Sequence, residues 1–373
     1  MKFVVASQEL LKKLSIVQDV IPTKSVLPIV YNAYFEVKNR ELILIGTDLE
    51  NSIQTALPVE SDDNFKMAIP SKIIIDTLRS LPEQPLTFNF DPETMSVEIK
   101  SSYGVYKVAA QNGDDFPKMP NVGNPNASIS ISLPLLCKII SKVIYAVSDD
   151  SMKPAMTGVY FDFKTTSTNF VGTDAQKLVR LMRTDITVPE NCSFIVPPKA
   201  LRLLQKASMG IDSVVKIDFN QSNAFFQFEE NLIVCRLIDG KFPDYNSVIP
   251  ISSPNKAIIN RKDLLNSLRR LDIYASKETH LGKLHFVGNT LTLTSEDIDF
   301  ANRAEETINC IYEGEDFTIG FTLSLITELL ANLDSDDIVM EMSTPNRAAV
   351  ILPAKQEENE NIIQLLMPII LNY

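Results

Sequence analysis

Two sets of residues in this chain have the types and spacing to do chemistry: carboxylates in short runs and bases in helical stripes. The carboxylate runs are Asp114-Asp115, Asp149-Asp150 and Glu296-Asp297-Ile298-Asp299. Clustered carboxylates are what a two-metal nuclease needs to hold its ions. No nucleophile or base accompanies them, however, and the two histidines, His280 and His285, are too few for a His-rich metal site. No G-x-x-x-x-G-K-[ST], G-x-G-x-x-G or G-x-S-x-G sequence is present. The runs therefore read as turn residues and strand-edge charges, and the chain is expected to carry no catalytic centre, no metal and no cofactor. The four cysteines (Cys137, Cys192, Cys235, Cys310) lack metal-ligand spacing and read as small core residues of a reducing compartment.

The bases are more informative. Lys199, Arg202 and Lys206 fall at i, i+3 and i+7, and Lys138, Lys142 and Tyr145 repeat that spacing. Leu136, Ile139, Ile140 and Val143 make the apolar face opposite the second stripe. A charged stripe can be no more than a solvated helix face. Here bases recur on several of six expected helices, at about 8–20, 71–81, 133–147, 198–208, 262–275 and 323–333. Those segments hold twelve basic and six acidic residues in a chain whose net charge is −12, so the acids lie elsewhere. The last segment, LSLITELLANL, has no base, so the pattern is not uniform. Positive helices in an acidic chain suggest a surface facing phosphates, with a metal-dependent DNA-modifying enzyme as the alternative reading.

What positions these helices is a repeat. Gly46-Thr47-Asp48 returns as Gly172-Thr173-Asp174, and Phe116-Pro117 returns as Phe242-Pro243, both 126 positions on, with Met367-Pro368 a further 125 on. Several landmarks at one offset and in one order indicate triplication. Asp48 and Asp174, each after a strand-like run, read as turn-formers. Alternating runs such as ELILIGT and TLTLTS indicate half-buried antiparallel strands. The expected fold is α+β, three tandem two-helix modules over 1–121, 128–250 and 256–373, joined through 122–128 and 250–256. The opening MKFVVASQELLKK has too short an apolar run for a signal peptide, and no segment reaches the roughly 18–20 apolar residues of a membrane span. A cytoplasmic location is expected.

The stretch LIDGKFPDYNSVIP (237–250) closely resembles the end of the second module of bacterial sliding clamps, the DNA polymerase III beta subunit family. MKF at the start, VLPIVYNAYFEV, GTDLE, IPSK, DFPKMP and the C-terminal MP agree with that family in order along the whole chain. The resemblance implies half of a six-module ring: a homodimer whose helices line a hole for duplex DNA and whose sheets form the outer wall. The DNA-facing bases would be Lys12, Lys24, Lys72, Arg79, Lys138, Lys142, Lys199, Arg202 and Lys206. It places Tyr106 and Val108 against Ile273 and Tyr274 at the dimer contact. It also implies a hydrophobic pocket for short motifs of the DNA polymerase III catalytic subunit, the clamp loader and other replication and repair proteins. Its wall would comprise Met156, Thr173, Ala175, Lys177, Leu178, Pro243, Ser247, Val248, Leu365, Met367, Pro368, Ile369 and Ile370. The chain departs from the family in reading Ala175-Gln176-Lys177-Leu178 where many members read Gly-His-Arg-Leu, and Ser247 where arginine is frequent. A less cationic rim follows. Lys153-Pro154-Ala155-Met156 lacks an aromatic pair that some relatives use near DNA, and Asn372-Tyr373 extends past the usual leucine end.

Overall fold

The computed structural model describes residues 1–250 and 253–371; the joint at 250–256 is covered in part, and Asn372-Tyr373 lies outside the described residues. All six expected helices form: α1 Ser7–Gln18, α2 Ser71–Ser80, α3 Leu133–Val143, α4 Pro198–Ala207, α5 Arg261–Asp272 and α6 Leu323–Ala331. α4 shows why. Pro198 occupies the first helical position, where a missing N–H costs nothing. Ala200, Leu201, Leu203, Leu204 and Ala207 then fall on one buried face, leaving Lys199, Arg202 and Lys206 outside. α3 is shorter than expected, because a 3-10 turn, Ile144–Ala146, takes over after Val143. No helix among the described residues is long and apolar enough to cross a membrane.

By packing, the chain divides into two compact units, and the division cuts the second repeat in half. The first unit is Met1–Cys137 with Val196–Leu237; the second is Lys138–Ile195 with the described residues from Ile238 onward. The cause is strand pairing that runs across the repeats. In the first unit a nine-stranded antiparallel sheet runs in the order Ala127–Ser132, Val214–Phe219, Asn223–Phe228, Asn231–Arg236, Asn51–Pro58, Glu41–Thr47, Asn32–Lys38, Phe65–Pro70, Gln111–Asn112. Its seam between repeats pairs Leu232 with Gln54 and Cys235 with Asn51. The second unit has a matching nine-stranded sheet, and its seam pairs Lys177–Arg183 with Glu360–Leu366. Each unit adds a four-stranded sheet. In the first, Val105–Ala109 is an edge strand beside Ser96–Lys100; in the second, Asn302–Asn309 is an edge strand beside Thr290–Asp297. Strands open the second and third repeats at Ala127 and Asn255, one residue before the expected starts.

The repeated glycine has a packing reason. A Cβ on Gly46 would lie 2.7 Å from the Val17 carbonyl oxygen in α1, and one on Gly172 would lie 2.8 Å from that of Val143 in α3. Helix and strand touch backbone to backbone there, so only glycine fits. In the third repeat Ser295 stands at this place, and its hydroxyl donates at 2.7 Å to the Leu271 carbonyl of α5. The same helix end is held by a hydrogen bond instead of by contact.

Candidate functional site

The bases expected to face phosphate are mostly where the helical pattern puts them. Lys12, Lys72, Arg79, Lys138, Lys199, Arg202 and Lys206 are exposed on helices; Lys24 is exposed in a bend after α1. Carboxylates hold several of them. Lys199 pairs with Asp48 at 2.5 Å, Lys206 with Asp19 at 2.5 Å, and Lys138 with both oxygens of Glu357 at 2.8 and 2.7 Å. Lys142 is half-buried and pairs with Glu360 at 2.5 Å and with Glu357 at 3.3 Å. Arg79 lies 3.9 Å from Asp76. Among the described residues Lys12, Lys24, Lys72 and Arg202 form no ion pair. The expected separation of bases from acids thus holds along the sequence and fails in space. The Lys138–Lys142–Tyr145 stripe also ends early: Tyr145 lies in the 3-10 turn, and its hydroxyl accepts from Gln364 Nε2 at 2.7 Å.

These pairs set the local electrostatics. The hydrogen bond from Lys138 holds the Glu357 carboxyl below the ordinary glutamate value, and the same bond raises the Lys138 ammonium. Burial pushes the Asp48 carboxyl up, but Lys199 and the amides of Asn51 outweigh it and hold it below the usual range.

The carboxylate runs form turns and ion pairs. Asp150 accepts from the Met152 amide at 2.9 Å, Asp297 from the Phe300 amide at 3.3 Å, and Glu296 pairs with Lys283 at 3.2 Å. Asp114 pairs with Lys66. Among the described residues no group of three or more His, Cys, Asp or Glu is placed to hold a metal. Asp48 and Asp174 are turn-formers: Asp48 accepts from the Glu50 and Asn51 amides at 2.9 and 2.6 Å, and Asp174 from the Gln176 and Lys177 amides at 2.8 Å each. The turns place Leu49 and Ala175 at φ of 80° and 77°.

The second unit carries a mostly apolar cavity of about 180 Å³ beside the Asp174 turn. Thr173, Ala175, Lys177 and Leu178 from the turn and its strands, Pro243 and Val248 from the following loop, Met156, Leu365 and Met367 line it as expected from the sequence. Below lie Val171, Ile195, Phe242 and Ile363, with Tyr160 stacked on Phe242 at 4.5 Å between ring centroids. Such a hollow, apolar with a few polar groups, suits a small side chain or an extended peptide. Gln176, Asp244, Tyr245 and Ala348 also line it and were not anticipated. Tyr245 and Asp244 sit within FPDYN, the stretch that carried the resemblance, so a signal existed; Ala348 comes from a distant hairpin with none.

Four expected wall residues lie elsewhere. The Ser247 hydroxyl donates to the Asp244 carbonyl at 2.7 Å and does not reach the cavity. Pro368, Ile369 and Ile370 lead away from it, since the Ile369 amide donates to the Gly320 carbonyl at 2.8 Å and ties the chain to strand Phe317–Thr322. Lys177 is not a free rim cation either. Its side chain is 8% exposed and pairs with Asp174 at 2.8 Å and with Glu328 of α6 at 3.0 Å. Burial lowers the Lys177 pKa, but the two carboxylates outweigh that and hold it above the ordinary lysine value. At the expected dimer contact, Tyr106 and Val108 alternate as half-buried residues on the edge strand Val105–Ala109, and Ile273 and Tyr274 are exposed just after α5.

Comparison with known proteins covers nearly the whole chain. Models of the DNA polymerase III beta subunit match as N-terminal domain over residues 1–120, central domain over 130–244 and C-terminal domain over 246–370. The beta sliding clamp of Synechococcus elongatus is 26% identical over 378 residues, covering 99% of each chain. That of Rickettsia felis is 27% identical over 382 residues, again with 99% of each chain covered. Among solved structures, the DNA polymerase III subunit beta of Pseudomonas aeruginosa superposes with a TM-score of 0.94 at 22% identity. The beta subunit of Thermotoga maritima gives 0.89 at 24%. Both comparisons cover 100% of each chain.

Proposed function

This chain belongs to the DNA polymerase III beta subunit family and is a DNA sliding clamp, and on that premise we propose that it closes head to tail with a second copy around duplex DNA. The observation that carries this reading is a pattern repeated twice and left open once. The strand after the repeated turn pairs with the last strand of the following repeat, Asn51–Pro58 with Asn231–Arg236 and Lys177–Arg183 with Glu360–Leu366. The remaining strands of these two kinds, Asn302–Asn309 and Val105–Ala109, are both unpaired edges. An open edge is a template for another chain, and a heterologous contact between unlike edges closes into a ring when its rotations sum to a full turn. Tyr106 and Val108 of one copy would then face Ile273 and Tyr274 of the next.

In this reading the clamp acts in the cytoplasm and without catalysis. Exposed bases touch phosphate, and no base pair is read, as sliding requires. The cavity beside the Asp174 turn takes short extended segments of the polymerase catalytic subunit, the clamp loader and other replication and repair proteins. Sedimentation checks the ring: the protein should run as a dimer, and Tyr274→Asp, which would bury an unpaired charge, should run as a monomer. A wild-type chain that sediments as a monomer at micromolar concentration overturns the reading.

A further inference from the structure

The lysines on α3 and α4 reach for phosphate with carboxylates already in hand. Lys138, Lys199 and Lys206 have side chains 47%, 54% and 57% exposed, and each is paired with an acid from a distant part of the sequence: Glu357, Asp48 and Asp19. We propose that these acids are built-in competitors for DNA phosphate, which set how tightly the clamp grips the duplex. The inference rests on the DNA-encircling reading above and adds a regulation of that surface.

The argument is one of ion balance. A free cation that meets a phosphate releases a counterion from DNA, which makes binding salt-dependent by about one unit of log–log slope per contact. A lysine that leaves a carboxylate to meet a phosphate strands that carboxylate, which takes up a cation in turn. Release and uptake cancel, so the exchange adds little affinity and little salt dependence. The ammonium sits on a flexible four-carbon stem, and its exposed position lets it swing between the two partners. A phosphate contact that can be handed back within the same protein suits a ring that must move.

The structure separates these lysines from two other classes. Lys142 and Glu360, with side chains 12% and 2% exposed, form a closed pair that Arg183 approaches at 3.6 Å; that pair is structural. Arg202 lies between Lys199 and Lys206 on α4 and forms no ion pair among the described residues, so it makes the standing contact. Asp48 also holds its own turn and is a poor choice for mutation, whereas Asp19 and Glu357 can be neutralised by isosteres.

The test compares wild type, Asp19→Asn/Glu357→Gln, Glu357→Gln alone and Arg202→Glu for binding a short fluorescent duplex by anisotropy across a KCl series, with thermal melts confirming the fold. The double variant is expected to bind on the order of tenfold more tightly, with a salt slope steeper by about 1–2; Glu357→Gln alone should show about half that change in slope. Arg202→Glu should weaken binding. Unchanged affinity and slope in both carboxylate variants, with Arg202→Glu still weakened, overturn the competitor role and leave the DNA reading standing. If Arg202→Glu is also unchanged, the DNA-facing surface itself is misassigned, and the competitor role falls with it.

Discussion

The two seams of this chain share one backbone and differ in what they can hold. At the first, the Arg236 amide donates to the Glu50 carbonyl at 2.9 Å; at the second, the Met367 amide donates to the Gln176 carbonyl at 2.8 Å. The turns match in φ, and in both an aromatic pair packs nearby, Tyr34 with Phe116 and Tyr160 with Phe242. The side chains at matching positions diverge. Asn51, Ser52 and Arg236 at the first seam stand where Lys177, Leu178 and Met367 stand at the second. Ser52 spends its hydroxyl on Thr47 Oγ1 at 2.9 Å, and the Asn51 amide returns to Asp48, so polar groups satisfy one another there. Leu178, Leu365 and Met367 leave an apolar hollow instead. A repeated fold supplies two equivalent places, and a few substitutions make one of them a binding site.

The most direct way to break that comparison is to give the second seam the polarity of the first. Met367→Ser with Val248→Ser should weaken a polymerase-derived peptide by about tenfold to a thousandfold, since each buried apolar anchor is worth roughly 1.5–3 kcal/mol. Arg236→Ala at the first seam should leave peptide affinity unchanged. Equal titrations for wild type and the double variant would remove the cavity from the binding site.

The glycine contacts sharpen the comparison between repeats. Gly172→Ala puts a methyl group against the Val143 carbonyl and should destabilise the protein by about 1–3 kcal/mol, read as a lower denaturant midpoint. Ser295→Ala at the matching place loses only the bond to Leu271, and its cost should be nearer about 1 kcal/mol.

A smaller effect follows from pH. The folded Asp48 carboxyl is held below its unfolded value, so its stabilisation is present above that value, near 3.9, and is lost as pH falls through the lower folded one. Asp48→Asn should therefore cost about 1 kcal/mol at neutral pH and flatten the acid limb of the stability profile below about pH 4. An acid limb identical to wild type would show that the Lys199 and Asn51 contacts do not hold the carboxyl down. The smallest effect belongs to Ser247→Ala, which should change peptide affinity by less than about 0.5 kcal/mol because the hydroxyl serves Asp244 and not the cavity.

Much of the candidate site was legible because it sits close to its own signal. Thr173, Ala175, Lys177 and Leu178 follow a repeated turn, and Pro243 and Val248 lie in the segment with the sharpest resemblance. The failures have a common cause. Pro368–Ile370 continue an apolar run, and nothing in that run says the Ile369 amide will bond Gly320 and turn the chain aside. Lys177 reads as a rim cation until Glu328 arrives from α6, which is 151 positions away in sequence.

The sequence by itself determined what depends on short-range periodicity and on one repeat compared with the next: six helices, antiparallel strands, three modules, and turns built on Asp48 and Asp174. Each of these follows from neighbours a few residues apart, where helix and strand spacing leaves a direct trace. Tertiary structure alone decided that the second repeat would be shared between two compact units, that Val105–Ala109 and Asn302–Asn309 would remain open edges, and that Asp19, Asp48 and Glu357 would reach the lysines of α3 and α4. Strand pairing and ion pairing bring together groups up to about two hundred residues apart, and a pairing at that range leaves no periodic mark on either partner.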